Sequence, residues 1–293
     1  NKKNGKTILT TLVLSAMAAS TFAAGVNNTV DPNATGYGAE SYGKDNAITA
    51  TGTSAFAAGF ENTVSGANSL VYGHNNKATG ANSLAGGENS EAKGYSSVAI
   101  GSSAQALTDY TFAIGAQSRA NGTNAVSIGN GAYASNDNAL AVGASTVADG
   151  KDSLVFGSHS EAHSDHAVAV GTAVITNDKD SVGIGHGVTT NKSNSVALGN
   201  GVVNTNSNTI GIGNGVTADT NSIAIGNGAG ANNINTIAIG NGVNANSTTS
   251  VAIGYGLTTD GVDSVNIGNV NKGASKDSEI GRASCRERVC LYV

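Results

Sequence analysis

The sequence has no tryptophan, a single proline (Pro32) and only 4% aromatic residues, so large side chains cannot fill its interior. Charged residues make up 12%, with a net charge of -5 and no long run of either sign. That excludes a basic nucleic-acid surface. Both cysteines, Cys285 and Cys290, lie in the last nine residues, so the body of the chain carries neither a disulfide framework nor a thiol site. After the N-terminal segment, no apolar run approaches the length of a membrane-spanning helix. What is abundant is glycine (41 residues), together with Asn, Ser, Thr and Ala. Such a bias fits disorder unless a regular apolar pattern accompanies it.

A regular pattern is present. The pentad Ser97-Val98-Ala99-Ile100-Gly101 recurs as Ser250 to Gly254, and near copies fill the interval between. Its closing glycine appears sixteen times from Gly59 to Gly268 at a spacing of 14 residues, with one step of 13 between Gly213 and Gly226. Three residues before the glycine stands a large apolar side chain (Val98, Phe112, Val126, Val251), and one residue before it another (Ile100, Ile114, Ile128, Ile253). These alternate with small residues such as Ala99, Ala113 and Ala252, which describes a strand apolar on both faces. Three and five residues after the glycine come Ala104 and Ala106, or Ala132 and Ala134, around a mostly polar position, so the second strand has one wet face. Asn, Asp, Ser and Gly cluster at the turns, where Asn and Gly tolerate positive φ.

The period selects the coil. Two strands of about five residues and two turns of about two use the 14 residues and give a flat parallel roll, all-β, with coils stacked about 4.8 Å apart. A three-sided hexapeptide helix needs a period of about 18, and no glycine-rich nine-residue calcium series occurs. In so thin a roll, one face of the first strand packs on the second strand, and the other must be covered from outside the chain. An obligate oligomer is expected, with Val98, Ile100, Phe112, Ile114, Val126, Ile128, Val251 and Ile253 as the core or subunit-facing residues of the first strand.

At the N-terminus, Lys2, Lys3 and Lys6, the apolar stretch Ile8 to Ala19 and Thr21-Phe22-Ala23 predict a signal peptide over residues 1–23 and export of the remainder. Residues 24–45 read as a lead-in, 46–272 as the roll, and 273–293 as a tail outside the repeat that is artefactual from about residue 279. A phage-type trimeric fibre would conflict with this export signal.

His159, His163 and His166, with Glu161 and Asp165, are the one cluster of ligand-capable side chains. His159 and Glu161 are expected on the outer face of a second strand and His163 and His166 at the next turn. Such a spread does not converge on a metal, so polar turn substitution is the reading adopted, with no metal and no cofactor. The run Gly226 to Gly230 lacks the Lys-Ser/Thr and helix of a phosphate loop, and no catalytic constellation follows from the repeat. The outward column Lys77, Glu91, Gln105, Arg119 and Tyr133, spaced by 14, is the candidate ligand-contact stripe.

A 14-residue repeat of Asn-Ser-Val-Ala-Ile-Gly type followed by small residues resembles the head repeat of the YadA-like trimeric autotransporter adhesins, also called haemagglutinin-type repeats, over roughly residues 46 to 272. The resemblance implies a left-handed parallel β-roll, a homotrimer, display on the outer surface of a Gram-negative-type envelope, and attachment to extracellular matrix, host cells or other bacteria. It also implies a stalk and a membrane β-barrel anchor; neither is recognisable here, so membrane anchoring is expected through a C-terminal region downstream. The alternative function is a non-adhesive spacer or shield.

Overall fold

The computed structural model describes residues 22–30, 38–49 and 54–269. Residues 1–21 of the expected signal, the 273–293 tail and both cysteines lie outside the described residues. The described residues are strands and turns with no helix. They divide into two units at Ser145 and Thr146, and in each the chain winds as a parallel β-solenoid with coils about 14 residues apart.

Every full coil contributes one long strand and one short strand. In the first unit the long strands stack in strict register, Leu70 beside Leu84, then Val98, Phe112, Val126 and Leu140. In the second unit Leu154, Val168, Val182 and Val196 continue to Ile210, Ile223, Ile237, Val251 and Val265 in the same way. The 13-residue step leaves this register intact: Gly213 pairs with Gly226 and Thr217 with Gly230. The missing residue comes out of the turn after Thr217–Ala218, where Asp219 Oδ1 accepts from the Thr220 amide at 2.5 Å.

The second strand is shorter than expected, two residues instead of about five, as in Gln105–Ala106. The backbone explains the difference. From Gly59 to Gly254 the residue two after the pentad glycine sits in the left-handed region, as Ser103 (φ 58°) and Gln117 (φ 58°) do, and so does the residue five before it, as Asn124 and Asn194 (φ 58° and 57°) do. These bends confine extended pairing to the residues between them. The turn backbone still bonds to the neighbouring coil, for instance Gln117 N–H to Ser102 O at 2.7 Å. Buried peptide groups are thereby satisfied along the winding.

Coils also begin earlier than the sixteen pentads indicate. Phe22–Val26 pairs with Glu40–Lys44, and that strand with Phe56–Phe60, glycine opposite glycine at Gly25, Gly43 and Gly59. Part of the expected lead-in therefore belongs to the ladder.

Four inward positions line the interior of a coil, and most of them carry small side chains. Around Gly101 they are Ser97, Ala99, Ala104 and Ala106, all 0% exposed. Ser97 Oγ donates to Gly94 O at 2.7 Å, which satisfies a buried hydroxyl. Volumes compensate between positions: where Val174, Thr176 and Val188 enlarge one side, the facing residue is Gly183, whose added Cβ would lie 2.8 Å from Val174 Cγ1.

In the N-terminal coils the position three after the glycine carries a buried asparagine ladder. Asn62 Nδ2 lies 3.0 Å from Asn46 Oδ1, 3.0 Å from Ala58 O and 2.8 Å from Gly73 O, while Asn62 Oδ1 accepts from the Asn76 amide at 3.0 Å. In the second unit this column becomes Val174, Val188, Val202 and Val216. Asn62→Ala strands these buried partners and is expected to cost about 2 kcal/mol, read as a lowered urea midpoint with an unchanged slope.

Candidate functional site

Two outward surfaces result from this winding. On the long strands the small residues point inward, so the large apolar ones point out. Ala99, Ala113 and Ala252 are fully buried, whereas Phe112 is 42% and Ile128 37% exposed and Val98, Ile100, Ile114, Val126, Val251 and Ile253 are half-buried. The eight residues expected to be core or subunit-facing thus lie outside the chain's own core, because the coil interior accommodates Ala, Ser and Val but not paired Ile. Stacked coil on coil, they form an apolar ladder in each unit, with Phe156 and Ile184 also exposed in the second. Towards the N-terminus the ladder becomes polar. There Glu40 Oε2 accepts from the Tyr42 hydroxyl at 3.2 Å. Loss of solvation, then this bond and the Glu40 charge, hold the phenol above its ordinary pKa.

The second surface is the outer side of the short strands. Lys77, Glu91, Gln105, Arg119 and Tyr133 occupy one register column, each beside the next. Lys77 and Arg119 are exposed and the other three half-buried. The column is internally braced: the Arg119 guanidinium stands 5.8 Å from the Tyr133 ring centroid, Arg119 Nε donates to Asn121 Oδ1 at 2.9 Å, and Asn121 Nδ2 donates to the Tyr133 hydroxyl at 3.0 Å. Glu91 pairs with Lys93 at 3.2 Å. This arrangement offers cationic, aromatic and amide groups together on one solvent-facing edge.

The histidine cluster is dispersed. His159 takes the left-handed turn position (φ 52°) ahead of the short strand, not the strand face expected for it, and its Nδ1 lies 2.7 Å from Ser158 Oγ. His163 bridges Glu161 and Asp149 through different ring nitrogens, at 2.8 and 3.2 Å. His166, also left-handed (φ 57°), stands between Asp180 at 2.9 Å and Asp152 at 3.8 Å. Asp165 Oδ1 accepts from the Lys151 amide at 2.8 Å. Among the described residues no group of three His, Cys, Asp or Glu side chains is placed to hold a metal ion.

Two features escaped the pattern of apolar and polar positions: the buried Asn46–Asn62–Asn76 ladder, and an exposed pair of aromatic rings, Tyr95 and Tyr110, on the longer turn. The second has a sequence signal, an aromatic residue in a turn column otherwise filled by Asn, Asp, Ser, Thr and His.

No curated protein matches the chain. A family model described as the YadA head domain repeat (2 copies) matches residues 50–75, 92–118, 120–146, 148–173, 179–201 and 220–242, together just over half of the sequence. A stacked roll of 14-residue coils and a match of that extent establish one conclusion: the chain belongs to the YadA head-domain repeat family.

Proposed function

We propose that the chain is the head of a surface-exposed trimeric autotransporter adhesin, exported and displayed on a Gram-negative-type outer membrane, which attaches to extracellular matrix, host cells or other bacteria. The observation that carries this reading is the apolar ladder on the outer face of the long strands. Contiguous apolar surface of this kind marks an association face. Covering each half-exposed Val or Ile contributes roughly 1 kcal/mol, and the repeat multiplies that many times over. Three copies packed through these ladders leave the short strands facing solvent. The Lys77–Tyr133 column is then presented three times per assembly, so weak individual contacts add through avidity. Anchoring in the membrane belongs to other parts of such proteins.

The test is binding of the purified assembly to immobilised matrix proteins and to epithelial cells. The triple variant Lys77→Ala, Arg119→Ala, Tyr133→Ala is expected to lose at least tenfold in half-saturating concentration, with an unchanged melting temperature. An unaltered curve would reduce the column to ordinary surface. Absence of binding by the parent protein would favour the spacer function.

A further inference from the structure

On the longer turn, away from the short-strand column, Tyr95 and Tyr110 stack edge to face with ring centroids 5.6 Å apart and planes at 76°. They are 44% and 50% exposed. Neither phenol hydroxyl has a hydrogen-bond partner among the described residues. Tyr110 holds a left-handed backbone (φ 60°) at the position where the other coils place Asn, Asp, Ser, Thr or His. A bulky side chain there is strained, and strain that persists points to a use. Asp109 adjoins both residues: it precedes Tyr110 in the chain and its Oδ1 accepts from the Tyr95 backbone amide at 2.8 Å, while the Tyr110 amide donates to Tyr95 O at 2.8 Å.

We propose that Tyr95, Asp109 and Tyr110 form a carbohydrate-binding platform that takes one face of a hexopyranose ring. Rings at this angle make an apolar corner whose size suits the C–H face of one sugar. The two phenol hydroxyls, which donate and accept, and the acceptor-only carboxylate can meet the sugar hydroxyls at the rim. The patch is too small for a protein partner, whose specific interface buries about 1,000 Å² or more, because Ser96, Asp109 and Asn124 surround it with polar groups. Nor does it suit a quaternary cation, because the rings already touch one another and leave no cage between them.

The experiment uses the full chain and methyl glycosides of glucose, galactose, N-acetylglucosamine and N-acetylgalactosamine, read by saturation-transfer NMR. At least one glycoside is expected to receive saturation at its ring protons. That signal should fall at least tenfold in Tyr110→Asn and in Tyr95→Ser. Tyr110→Asn restores the residue type usual in the column, so it should raise the melting temperature by about 2 °C while binding is lost. The Lys77, Arg119, Tyr133 triple variant should keep the sugar signal, which separates this platform from the adhesive column. No transfer from any glycoside would overturn the proposal, as would transfer unchanged in both tyrosine variants or replacement of the glycosides by tetramethylammonium as the bound probe. A lowered melting temperature or altered oligomeric state in Tyr110→Asn would equally overturn it, by making the pair a structural contact.

Discussion

Gly115→Ala is expected to cost about 3 kcal/mol or more and to abolish cooperative melting near the parent temperature, although it adds one methyl group. Two causes act together. Gly115 has φ of +126°, outside the regions open to an L side chain, and the added Cβ would lie 2.4 Å from Gly129 O and 2.6 Å from Gly129 C. That obstacle is backbone, so no rotamer change relieves it. Gly129 meets Gly143 in the same way, with a Cβ-to-oxygen distance of 2.2 Å, so relaxation of one coil drives the clash into the next. The contrast is Gly187→Asn. There φ is +59° and nothing lies within 4 Å, and Asn75 and Asn89 already occupy the equivalent turn position with φ of 53° and 57°. That substitution should stay within about 0.5 kcal/mol of the parent. Thermal melts followed by far-ultraviolet circular dichroism compare the two directly; equal effects would remove the stacked-glycine explanation of the pentad.

The double variant Ile100→Asp, Ile114→Asp should weaken association at least a hundredfold, equivalent to about 3 kcal/mol. The two residues are neighbours on the outer ladder, in register across adjacent coils, and neither enters the coil interior, which Ala99 and Ala113 occupy. Two carboxylates placed against a partner's apolar ladder would be desolvated without compensation. Within the single chain they face solvent. Light scattering should therefore report a lower mass while the β-sheet dichroism remains. A variant of parental mass would show that the ladder is not the subunit contact.

The winding, its period and the role of the pentad were legible because sixteen near-copies share one spacing and one glycine. Which apolar face turns inward was not, since Ala99 and Ile100 both read as buried and only the narrowness of the coil decides between them. Counting by period also missed the strands at Phe22–Val26 and Glu40–Lys44, because Gly25, Gly43 and Gly59 are further apart in sequence than the repeat allows. Asn46, Asn62 and Asn76 stand where several other coils carry Ala or Val, and parallel register alone stacks them into a buried ladder. The Lys77–Tyr133 column followed from spacing, whereas its Arg119–Asn121–Tyr133 bracing depends on side-chain conformations that spacing does not specify. His159 was displaced from its expected strand face because the left-handed residue of each coil consumes that position.

The central claim is that the outward ladder of the long strands is an interface between copies of this chain. Sedimentation equilibrium of the purified protein across a hundredfold range of concentration tests it most directly. The proposed trimeric head requires a single species of three chain masses that persists on dilution; a soluble, folded monomer throughout that range would contradict it.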